Sequence, residues 1–387
     1  MLSEQDIRII IEDYKEPVRT IPRDAYVGKI LDYLSRKEIL ILKGVRRSGK
    51  STIMRQALSR MKRGVYVNLD DYRFFHHLSI ELLERILDIY KGGGTLYLFL
   101  DEIQAVPRFE SWLRTHYDKG TDVKFIISGS NSTLVSKDLG TLLTGRTITF
   151  EVAPLTYGEY KDFSTGSLQE YLEYGGFPEV VLEPDIEKKR ELLSNYFDTI
   201  TEKDMISKYN VQQGRQLKEL LKFIISNPGV RVSANKLAKQ LGISINTVKS
   251  YLALAEEVYL IFEVPFFSHS AKTKFVGSRV SKYYVIDNGF AKLFTTRFEK
   301  SKAYENAVAT RFFKERDSLY YWKGDNEVDF VIDGKAINVT ATKSIPRREH
   351  RGLEEIRKEF KHVKETLIVA ETATRYSQAL SEFLLAG

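Results

Sequence analysis

The chain has 387 residues, of which 43% are hydrophobic and 29% are charged. This balance is typical of a globular protein of about two to three domains and excludes extended disorder. The absence of cysteine excludes disulfides, zinc thiolate sites and thiol catalysis, and no apolar run approaches the roughly 20 residues of a membrane-spanning helix.

The charge is positive overall and unevenly distributed. The net charge of +7 makes nucleic acid a candidate partner. Much of the excess lies between Arg231 and Lys282, where eight lysines and arginines stand against three glutamates. The first residues, MLSEQDIRII, lack the basic and apolar segments of a secretion signal. We therefore expect a cytoplasmic protein, no membrane partner, and DNA as a candidate partner through residues 231–282.

A phosphate-loop motif follows an apolar run near the start of the chain. Residues 44–51 read GVRRSGKS, which matches G-x-x-x-x-G-K-[ST], after the run EILILKG and before a segment with helical spacing. In this order of strand, loop and helix, backbone N–H groups face phosphate oxygens. The order disfavours the alternative, a Gly-rich turn with an exposed lysine. The residues predicted to bind the nucleotide's phosphates are Gly44, Val45, Arg46, Arg47, Ser48, Gly49, Lys50, Ser51 and Thr52.

Three residues of the motif have distinct predicted roles. Lys50 is expected to reach the β and γ phosphates and to take part in catalysis. Ser51 is expected to supply a hydroxyl ligand to Mg²⁺, and Thr52 to contact the α phosphate.

Two acidic residues end a later apolar run, TLYLFLDEIQ. Asp101 is placed to bind Mg²⁺ through water, and Glu102 to orient and deprotonate the attacking water. An apolar strand that ends in two acids is otherwise often a solvated strand end. This run is the second predicted strand after the phosphate loop. That position favours a Walker B motif, the acidic strand end that accompanies a phosphate loop.

Two further strands supply less specific candidates. The run VKFIISGSNS ends where ligands of open α/β sheets gather, so Ser130 or Asn131 is expected either to sense the γ phosphate or to shape a turn. Arg146 precedes a fifth strand. It is predicted either to act as an arginine finger, in its own chain or across a homo-oligomer, or to form a structural salt bridge. Gln104 and Trp112 are predicted to be scaffold residues.

Several segments together resemble a known family. GVRRSGKST, YVNLDD, LFLDEIQAVPRFESW, ISGSNS, LTGRTITFEVAPLTYGEY and YGGFPEVV are similar to archaeal and bacterial AAA-type (AAA_14) ATPases that carry a DUF4143 region. The resemblance covers nearly the whole chain. It implies ATP as the nucleotide and an additional-strand P-loop core, followed by a helical lid, a winged helix and a fold related to PD-(D/E)XK nucleases.

The middle of the chain is predicted to be helical. Residues 154–210 show apolar spacings of three and four, typical of a lid or linker. Residues 211–267 hold three helical stretches with a tight turn at Gly242 and Ser244, which favours a winged helix-turn-helix with a basic wing over 269–282. Such a domain binds DNA or serves packing and protein binding. Predicted DNA contacts are Lys236, Lys239, Ser244, Asn246, Thr247, Lys249 and Ser250, over a core of Leu237, Ala238, Leu241, Ile243, Val248 and Leu252.

The nuclease-like region departs from the pattern that the resemblance implies. Glu305 and Asp329 suit two of its metal ligands. The acid-x-Lys pair of the next strand, however, reads Asn338 and Thr340, and strand alternation would point Lys343 to the opposite face. We therefore expect a domain that does not cleave DNA, in which Glu305 and Asp329 are structural.

The predicted fold class is α/β, with a P-loop NTPase core, a helical lid, a winged helix-turn-helix and an α/β nuclease-like domain. The predicted function is Mg²⁺-dependent ATP hydrolysis coupled to the C-terminal half. The alternatives are a slow ATP-dependent DNA-binding switch, a protein-interaction ATPase without nucleic acid, and an active nuclease. The predicted segments are an N-terminal segment (1–22), the P-loop ATPase core (23–153), a helical lid or linker (154–210), the winged helix-turn-helix (211–267) and the nuclease-like domain (268–387).

Overall fold

A computed structural model describes residues 2–16, 20–129, 143–268, 280–295 and 297–386. The chain divides into two units, Met1–Val152 and Ala153–Gly387. Candidate residues Ser130 and Asn131, and most of the predicted wing at 269–279, lie outside the described residues.

The first unit is built on a five-stranded sheet in the order β2-β3-β4-β1-β5. All of its strand pairs are parallel, so the predicted α/β class with a parallel sheet is confirmed. The strands are β1 (Ile39–Lys43), β2 (Gly64–Asn68), β3 (Leu96–Asp101), β4 (Val123–Gly129) and β5 (Thr147–Glu151).

Helices cover both faces of this sheet because its strands are apolar on both sides. Along β1, Ile39 and Ile41 belong to one core, and Leu40 and Leu42 to the other. The helices α1, α4 and α5 pack in the first core, and α2 and α3 in the second. The helices are α1 (Glu4–Glu12), α2 (Asp24–Asp32), α3 (Lys50–Leu58), α4 (Ile80–Tyr90) and α5 (Phe109–Lys119).

The predicted N-terminal segment, 1–22, contributes to this unit. Ser3 caps α1 through a reciprocal hydrogen-bond pair with Asp6. Ile7, Ile10 and Ile11 of α1 are buried in the same core as α4 and α5. Helix α1 is therefore part of the first unit's hydrophobic core.

The second unit begins with helices. A π-helix, Ile200–Ser207, continues the fourth of them, and an antiparallel strand pair, β6 with β7, follows the last. The elements are α6 (Tyr157–Phe163), α7 (Leu168–Tyr174), α8 (Pro178–Leu182), α9 (Ile186–Thr199), α10 (Gly214–Ser226), α11 (Ala234–Leu241), α12 (Ile245–Glu257), β6 (Ile261–Val264) and β7 (Lys282–Val285).

The rest of the second unit contains a mixed sheet in the order β12-β11-β10-β9-β8. The pairs among β8, β9 and β10 are antiparallel, and those among β10, β11 and β12 are parallel. Helix α15 packs its apolar side on the sheet. The elements are α13 (Asn288–Phe294), α14 (Lys300–Arg311), β8 (Tyr320–Lys323), β9 (Glu327–Ile332), β10 (Lys335–Val339), α15 (Arg347–Glu359), β11 (Glu365–Ala370), β12 (Gln378–Ala379) and α16 (Leu380–Leu385).

The YGGFPEVV segment has a packing role in the second unit. Gly175 adopts a left-handed φ of 77°, and a Cβ there would lie 1.6 Å from Oδ1 of Asp287. Oδ2 of Asp287 accepts the N–H of Gly176 at 2.7 Å. Phe177 is fully buried against the rings of Tyr196 and Phe290. The two glycines thus let the chain approach a buried carboxyl.

Of the helices that the structure describes, none is both long enough and apolar enough to cross a bilayer.

Candidate functional site

The loop between β1 and α3 has a backbone that demands glycine. Gly44 has a φ of 148°, and a Cβ there would lie 2.1 Å from the carbonyl oxygen of Val152. Gly49 has a φ of 95° and precedes the first residue of α3. Any larger residue at either position would be strained. The loop therefore has the tight turn that opens toward phosphates at a helix N-terminus.

Lys50 lies inside this loop. Its side chain is buried, with 5% of its surface exposed, and its Nζ donates to the carbonyl oxygens of Gly44 and Val45 at 2.9 and 3.0 Å. The ammonium therefore spans the loop from the first turn of α3. Of the other motif residues, Arg47 and Ser51 are exposed and Arg46 and Thr52 are half-buried.

Arg23 also holds the phosphate loop, a role that the sequence analysis did not predict. Its guanidinium is 4% exposed, and its Nη1 donates to the carbonyl oxygen of Ser48 at 2.9 Å. It also lies 4.6 Å from the centre of the Tyr26 ring. Among the described residues, the buried hydroxyl of Ser48 has no hydrogen-bond partner. That hydroxyl is an available polar group within the loop.

Asp101 ends β3 beneath the loop and is 2% exposed. Its carboxylate accepts hydrogen bonds from the hydroxyls of Tyr66 and Ser128. Burial, and then the neighbouring charge of Glu102, raise the pKa of Asp101. The hydroxyl of Ser51, the other predicted metal ligand, lies close enough to lower the pKa of this carboxyl.

Glu102 follows with a left-handed φ of 55°. Its N–H donates to Oγ of Ser128 at 3.3 Å, and its carboxylate accepts a hydrogen bond from Nε2 of Gln104. Gln104, predicted as scaffold, therefore orients the predicted base. Trp112, also predicted as scaffold, is buried and donates from Nε1 to Glu84 at 2.9 Å.

Ser128 and Tyr66 are site residues that the sequence analysis missed. Ser128 lies on β4 and Tyr66 on β2, the two strands that flank β3. Ser128 bonds both Asp101 and the N–H of Glu102. The available signal was the serine that precedes the predicted sensor pair in ISGSNS, together with the sheet order, which sequence alone did not supply.

Arg146 does not lie with these residues. It precedes Thr147, which pairs with Ile39 at the amino end of β1, whereas the phosphate loop follows the carboxyl end. Four residues of strand correspond to about 13 Å. Nε of Arg146 pairs with Asp118 at 2.9 Å and lowers the pKa of that carboxyl. This arrangement favours the structural salt bridge over a finger in the same chain, because such a finger would have to reach along the whole length of β1. A finger that acts across subunits stays a prediction.

A second polar centre contains the predicted Glu305 and Asp329. The sequence analysis placed Lys282 among DNA-facing charges, and the structure corrects this, since only 2% of its surface is exposed. Its Nζ lies 2.9 Å from Glu305, 2.8 Å from Glu327 and 3.5 Å from Asp329. Tyr284 donates to Glu305 at 2.6 Å. We call Lys282, Glu305, Glu327 and Asp329 the lysine–carboxylate cluster.

Charges and burial set the protonation of this cluster. Burial alone would lower the pKa of Lys282, but the surrounding carboxylates, Glu305 foremost, raise it well above its ordinary value. Burial and the charge of Glu305 raise the pKa of Asp329 to about 7. The cluster therefore holds a firmly protonated ammonium among carboxyl groups.

Asn338 and Thr340 have structural partners. Oδ1 of Asn338 accepts the N–H of Asp329 at 3.1 Å, and its Nδ2 donates to the carbonyl oxygen of Glu349 at 3.0 Å. The Thr340 hydroxyl lies 3.0 Å from that of Thr342. Asn338 thus fastens β9 and β10 to α15.

The helices α10, α11 and α12 and the strand β6 occupy the predicted winged-helix region, 211–267, and β6 pairs with β7 beyond it. Ser244 caps α12 by accepting the N–H of Thr247 at 3.0 Å, and Gly242 ends α11 with a φ of 65°. Of the predicted core, Leu237, Ala238, Val248 and Leu252 are buried, and Leu241 and Ile243 are half-buried. Exposed side chains on α11, α12 and their turn include Lys236, Lys239, Ser244, Asn246, Lys249 and Ser250.

Two known domain families match parts of this chain. Residues 36–161 match the AAA domain, and residues 165–301 match a domain of unknown function, DUF8612. The matched DUF8612 region spans the predicted lid, the predicted winged helix and the start of the nuclease-like segment. The DUF4143 region of the resemblance stays a prediction.

Two relatives cover most of the chain. The uncharacterized protein MJ1544 of Methanocaldococcus jannaschii is 31% identical over 77% of this chain and 73% of its own length. The chain belongs to the same protein family as MJ1544. An uncharacterized protein of Haemophilus influenzae is 27% identical over 85% of this chain and 88% of its own length.

One solved structure shares the fold. The Walker-type ATPase paby2304 of Pyrococcus abyssi superposes with a TM-score of 0.50 at 14% identity, covering 73% of this chain and 99% of that one. The first unit of this family member is therefore a P-loop ATPase domain.

Proposed function

We propose that the chain is a Mg²⁺-dependent ATPase whose first unit hydrolyses ATP. One observation carries this proposal: Lys50, Ser51, Asp101 and Glu102 gather at the carboxyl edge of one parallel sheet, around a glycine-built phosphate loop. Phosphoryl transfer needs positioning and charge stabilisation more than covalent chemistry, and these residues supply both.

Each residue has a role that follows from its position. The loop N–H groups and the Lys50 ammonium bind the phosphates, and the hydroxyl of Thr52 is placed for the α phosphate. Glu102 orients the attacking water and accepts its proton. Ser128 holds the Glu102 backbone and the Asp101 carboxylate in register. The Ser130 or Asn131 side chain remains a candidate γ-phosphate sensor.

The site also fits a magnesium ion. The Ser51 hydroxyl and the Asp101 carboxylate would hold the ion, since both are hard oxygen ligands of the kind that Mg²⁺ prefers, and the hydroxyl is near enough to lower the pKa of the carboxyl. When bound, Mg²⁺ neutralises charge on the β and γ phosphates.

We further propose that nucleotide state is coupled to DNA binding by the second unit. Lys236, Lys239 and Lys249 are exposed on α11 and α12, where lysines suit phosphate contacts. Ser244 and Asn246 are exposed at the start of α12, the predicted recognition helix. Together these features favour a DNA-associated ATPase with a winged helix and a non-cleaving, nuclease-like C-terminal domain.

The test is the ATP hydrolysis rate at low salt, measured without nucleic acid and with duplex DNA, single-stranded DNA or RNA. We expect duplex DNA to accelerate hydrolysis by the parent and to leave Lys50→Ala inactive. Lys249→Ala should weaken the DNA effect and reduce the salt slope of DNA binding by about one. Lys188→Ala, an exposed lysine on α9, is the matched control.

Other outcomes would select the alternatives. DNA binding that differs between ATP and ADP, with very slow turnover, would indicate a DNA-binding switch. Failure to bind any nucleic acid at low salt would contradict the DNA proposal and favour a protein-interaction ATPase. Mg²⁺-dependent DNA cleavage abolished by Asp329→Ala would contradict the non-cleaving assignment.

A further inference from the structure

The lysine–carboxylate cluster brings three acidic side chains to one point inside the second unit. Glu305 comes from α14, and Glu327 and Asp329 from β9. Nζ of Lys282, from the first residue of β7, lies among them at 2.9, 2.8 and 3.5 Å. Carboxylates converging from different elements onto one buried point normally surround a cation. Here the cation is an ammonium that the chain itself supplies.

Four of the six carboxylate oxygens of the cluster already accept a hydrogen bond or an ion pair. Oε1 of Glu305 accepts hydrogen bonds from Lys282 and from Tyr284. Oδ2 of Asp329 accepts the N–H of Val339 at 2.8 Å, which leaves Oδ1 facing Lys282. With Lys282 in place, no three histidine or acidic side chains in the described part of the chain are arranged to hold a metal ion. A divalent ion bound to the three oxygens that face Lys282 would have to break these bonds.

Charge repulsion excludes a metal ion beside the lysine. An ion bound to the same carboxylates would lie within a few ångströms of the Lys282 ammonium, in a buried site where screening by water is weak. A lysine that assists a metal ion in hydrolysis must leave carboxylate oxygens available to that ion. Lys282 instead contacts one oxygen of each of the three acidic side chains, at the point where an ion shared by all three would lie.

The next strand, β10, does not supply the missing metal ligands. The fold that the resemblance implies would place a further acidic ligand and a lysine on β10. In this chain Asn338 lies there, and its amide is committed to the backbone of Asp329 and Glu349. The residues present do not fit a metal-dependent nuclease centre.

We propose that the Lys282 ammonium takes the place of a divalent cation in this cluster, and that removing it converts the cluster into a divalent-cation site. The parent centre is therefore a metal-free structural joint that ties β7 to α14 and β9. This inference is independent of the nucleotide chemistry of the first unit.

The experiment compares Mn²⁺ binding and thermal unfolding of the parent, Lys282→Ala and Lys236→Ala, all without nucleotide. Lys236 is an exposed lysine of the same unit and serves as the matched control. We expect Lys282→Ala to unfold at a lower temperature than the parent in EDTA. Mn²⁺ at a hundredfold excess over its dissociation constant should raise the melting temperature of this variant by at least about 5 °C.

Two results separate the cluster from metal binding elsewhere. Lys282→Ala should bind one more Mn²⁺ per chain than the parent or Lys236→Ala, and this ion should be lost in Lys282→Ala/Asp329→Asn. A folded Lys282→Ala variant that gains neither Mn²⁺ nor stability would overturn the proposal.

A second measurement uses the parent cluster and does not depend on the folding of Lys282→Ala. The parent, Asp329→Asn and Glu305→Gln should bind the same number of Mn²⁺ ions, because none binds at the cluster. A loss of one bound ion in either variant would show that the parent cluster holds a metal, and the proposal would be wrong.

Discussion

The two polar centres of this protein use the same residue types differently. In the phosphate-loop site, the nitrogen of Lys50 rests on backbone carbonyls, and the carboxylate of Asp101 rests on hydroxyls. In the lysine–carboxylate cluster, the nitrogen of Lys282 pairs directly with three carboxylates. Neutral partners can be exchanged for a ligand at small electrostatic cost, whereas buried opposite charges hold each other.

A lysine near acidic residues is therefore not evidence of catalysis by itself. What the ammonium is bonded to decides whether a substrate can compete for it. We infer that the first centre performs chemistry and the second holds structure, and five changes would break or sharpen this contrast.

The largest effect should come from Glu102→Gln in the first centre. Loss of a general base lowers the rate of hydrolysis by about 10² to 10⁴. ATP should remain bound because the loop and Lys50 are unchanged. Single-turnover hydrolysis and nucleotide retention measure the two effects separately. If the variant hydrolyses ATP at the parent rate, Glu102 is not the base.

The next largest effect should come from Gly175→Ala in the second unit, and it should be a loss of stability. A methyl group there would meet the carboxyl of Asp287, so we expect a loss of about 3 kcal/mol in the free energy of unfolding from strain and overpacking. Gly242→Ala is the matched control, since its φ of 65° is also positive but its Cβ would meet no atom within 4 Å. That control should cost about 1 kcal/mol. If denaturant titrations show equal losses of unfolding free energy for the two variants, close packing of Gly175 against Asp287 does not contribute to stability.

The buried carboxyl of Asp287 should make the stability of the second unit depend on pH. Burial raises the pKa of Asp287 from 3.8 to about 7, against the two N–H groups that it accepts. The folded state therefore holds this proton more tightly than the unfolded state. Its stabilising effect is complete below about pH 4 and falls as the pH rises toward 7, by at most about 1.4 kcal/mol per pH unit.

Asp287→Asn tests this dependence. Melting temperatures of the parent and the variant should be recorded from about pH 5 to pH 8. The variant should show a flatter decline because it carries no titrating group at this position. An identical decline in both proteins would mean that other groups control it.

Ser128→Ala should lower hydrolysis about tenfold, since losing a hydrogen bond to a charged group is worth about 1.5 kcal/mol. Ser128 connects Asp101 with the backbone of Glu102, so the loss should appear in the turnover rate more than in ATP affinity. The conservative variant Ser128→Thr should recover part of the rate. A loss confined to ATP affinity would place Ser128 outside the catalytic geometry.

The smallest effect should come from Arg146→Ala. A partly exposed salt bridge with Asp118 contributes about 0.2–1 kcal/mol to stability, and hydrolysis should fall less than about threefold. Asp118→Ala should have the same effect on both quantities. A loss of about 10³ or more in the rate, for Arg146→Ala alone, would instead identify an arginine finger acting across subunits.

The sequence predicted what depends on neighbours along the chain. The phosphate loop, the acidic pair after β3 and the parallel α/β sheet all follow from local motifs and apolar runs. Ser128 and Tyr66 were missed because they reach Asp101 from 27 and 35 residues away, through a sheet order that no local pattern specifies.

Lys282 illustrates the same limit more strongly. Its charge and its basic neighbours are typical of an exposed DNA-binding segment. Only the tertiary structure brings it to carboxylates 23 and 47 residues away. The YGGFPEVV segment, in turn, supported a family resemblance but serves packing around Asp287. Composition identified the residue types, and long-range contacts decided their use.

The assignment of chemistry to the first centre depends on Lys50. The decisive measurement is the steady-state rate of ATP hydrolysis for Lys50→Ala and Lys282→Ala side by side, at a temperature where both variants are folded. We expect Lys50→Ala to lose at least about a hundredfold in rate, because a preorganised positive group at the transferred phosphate is removed. Lys282→Ala should hydrolyse ATP within about threefold of the parent. Retention of the parent rate by Lys50→Ala would contradict the assignment.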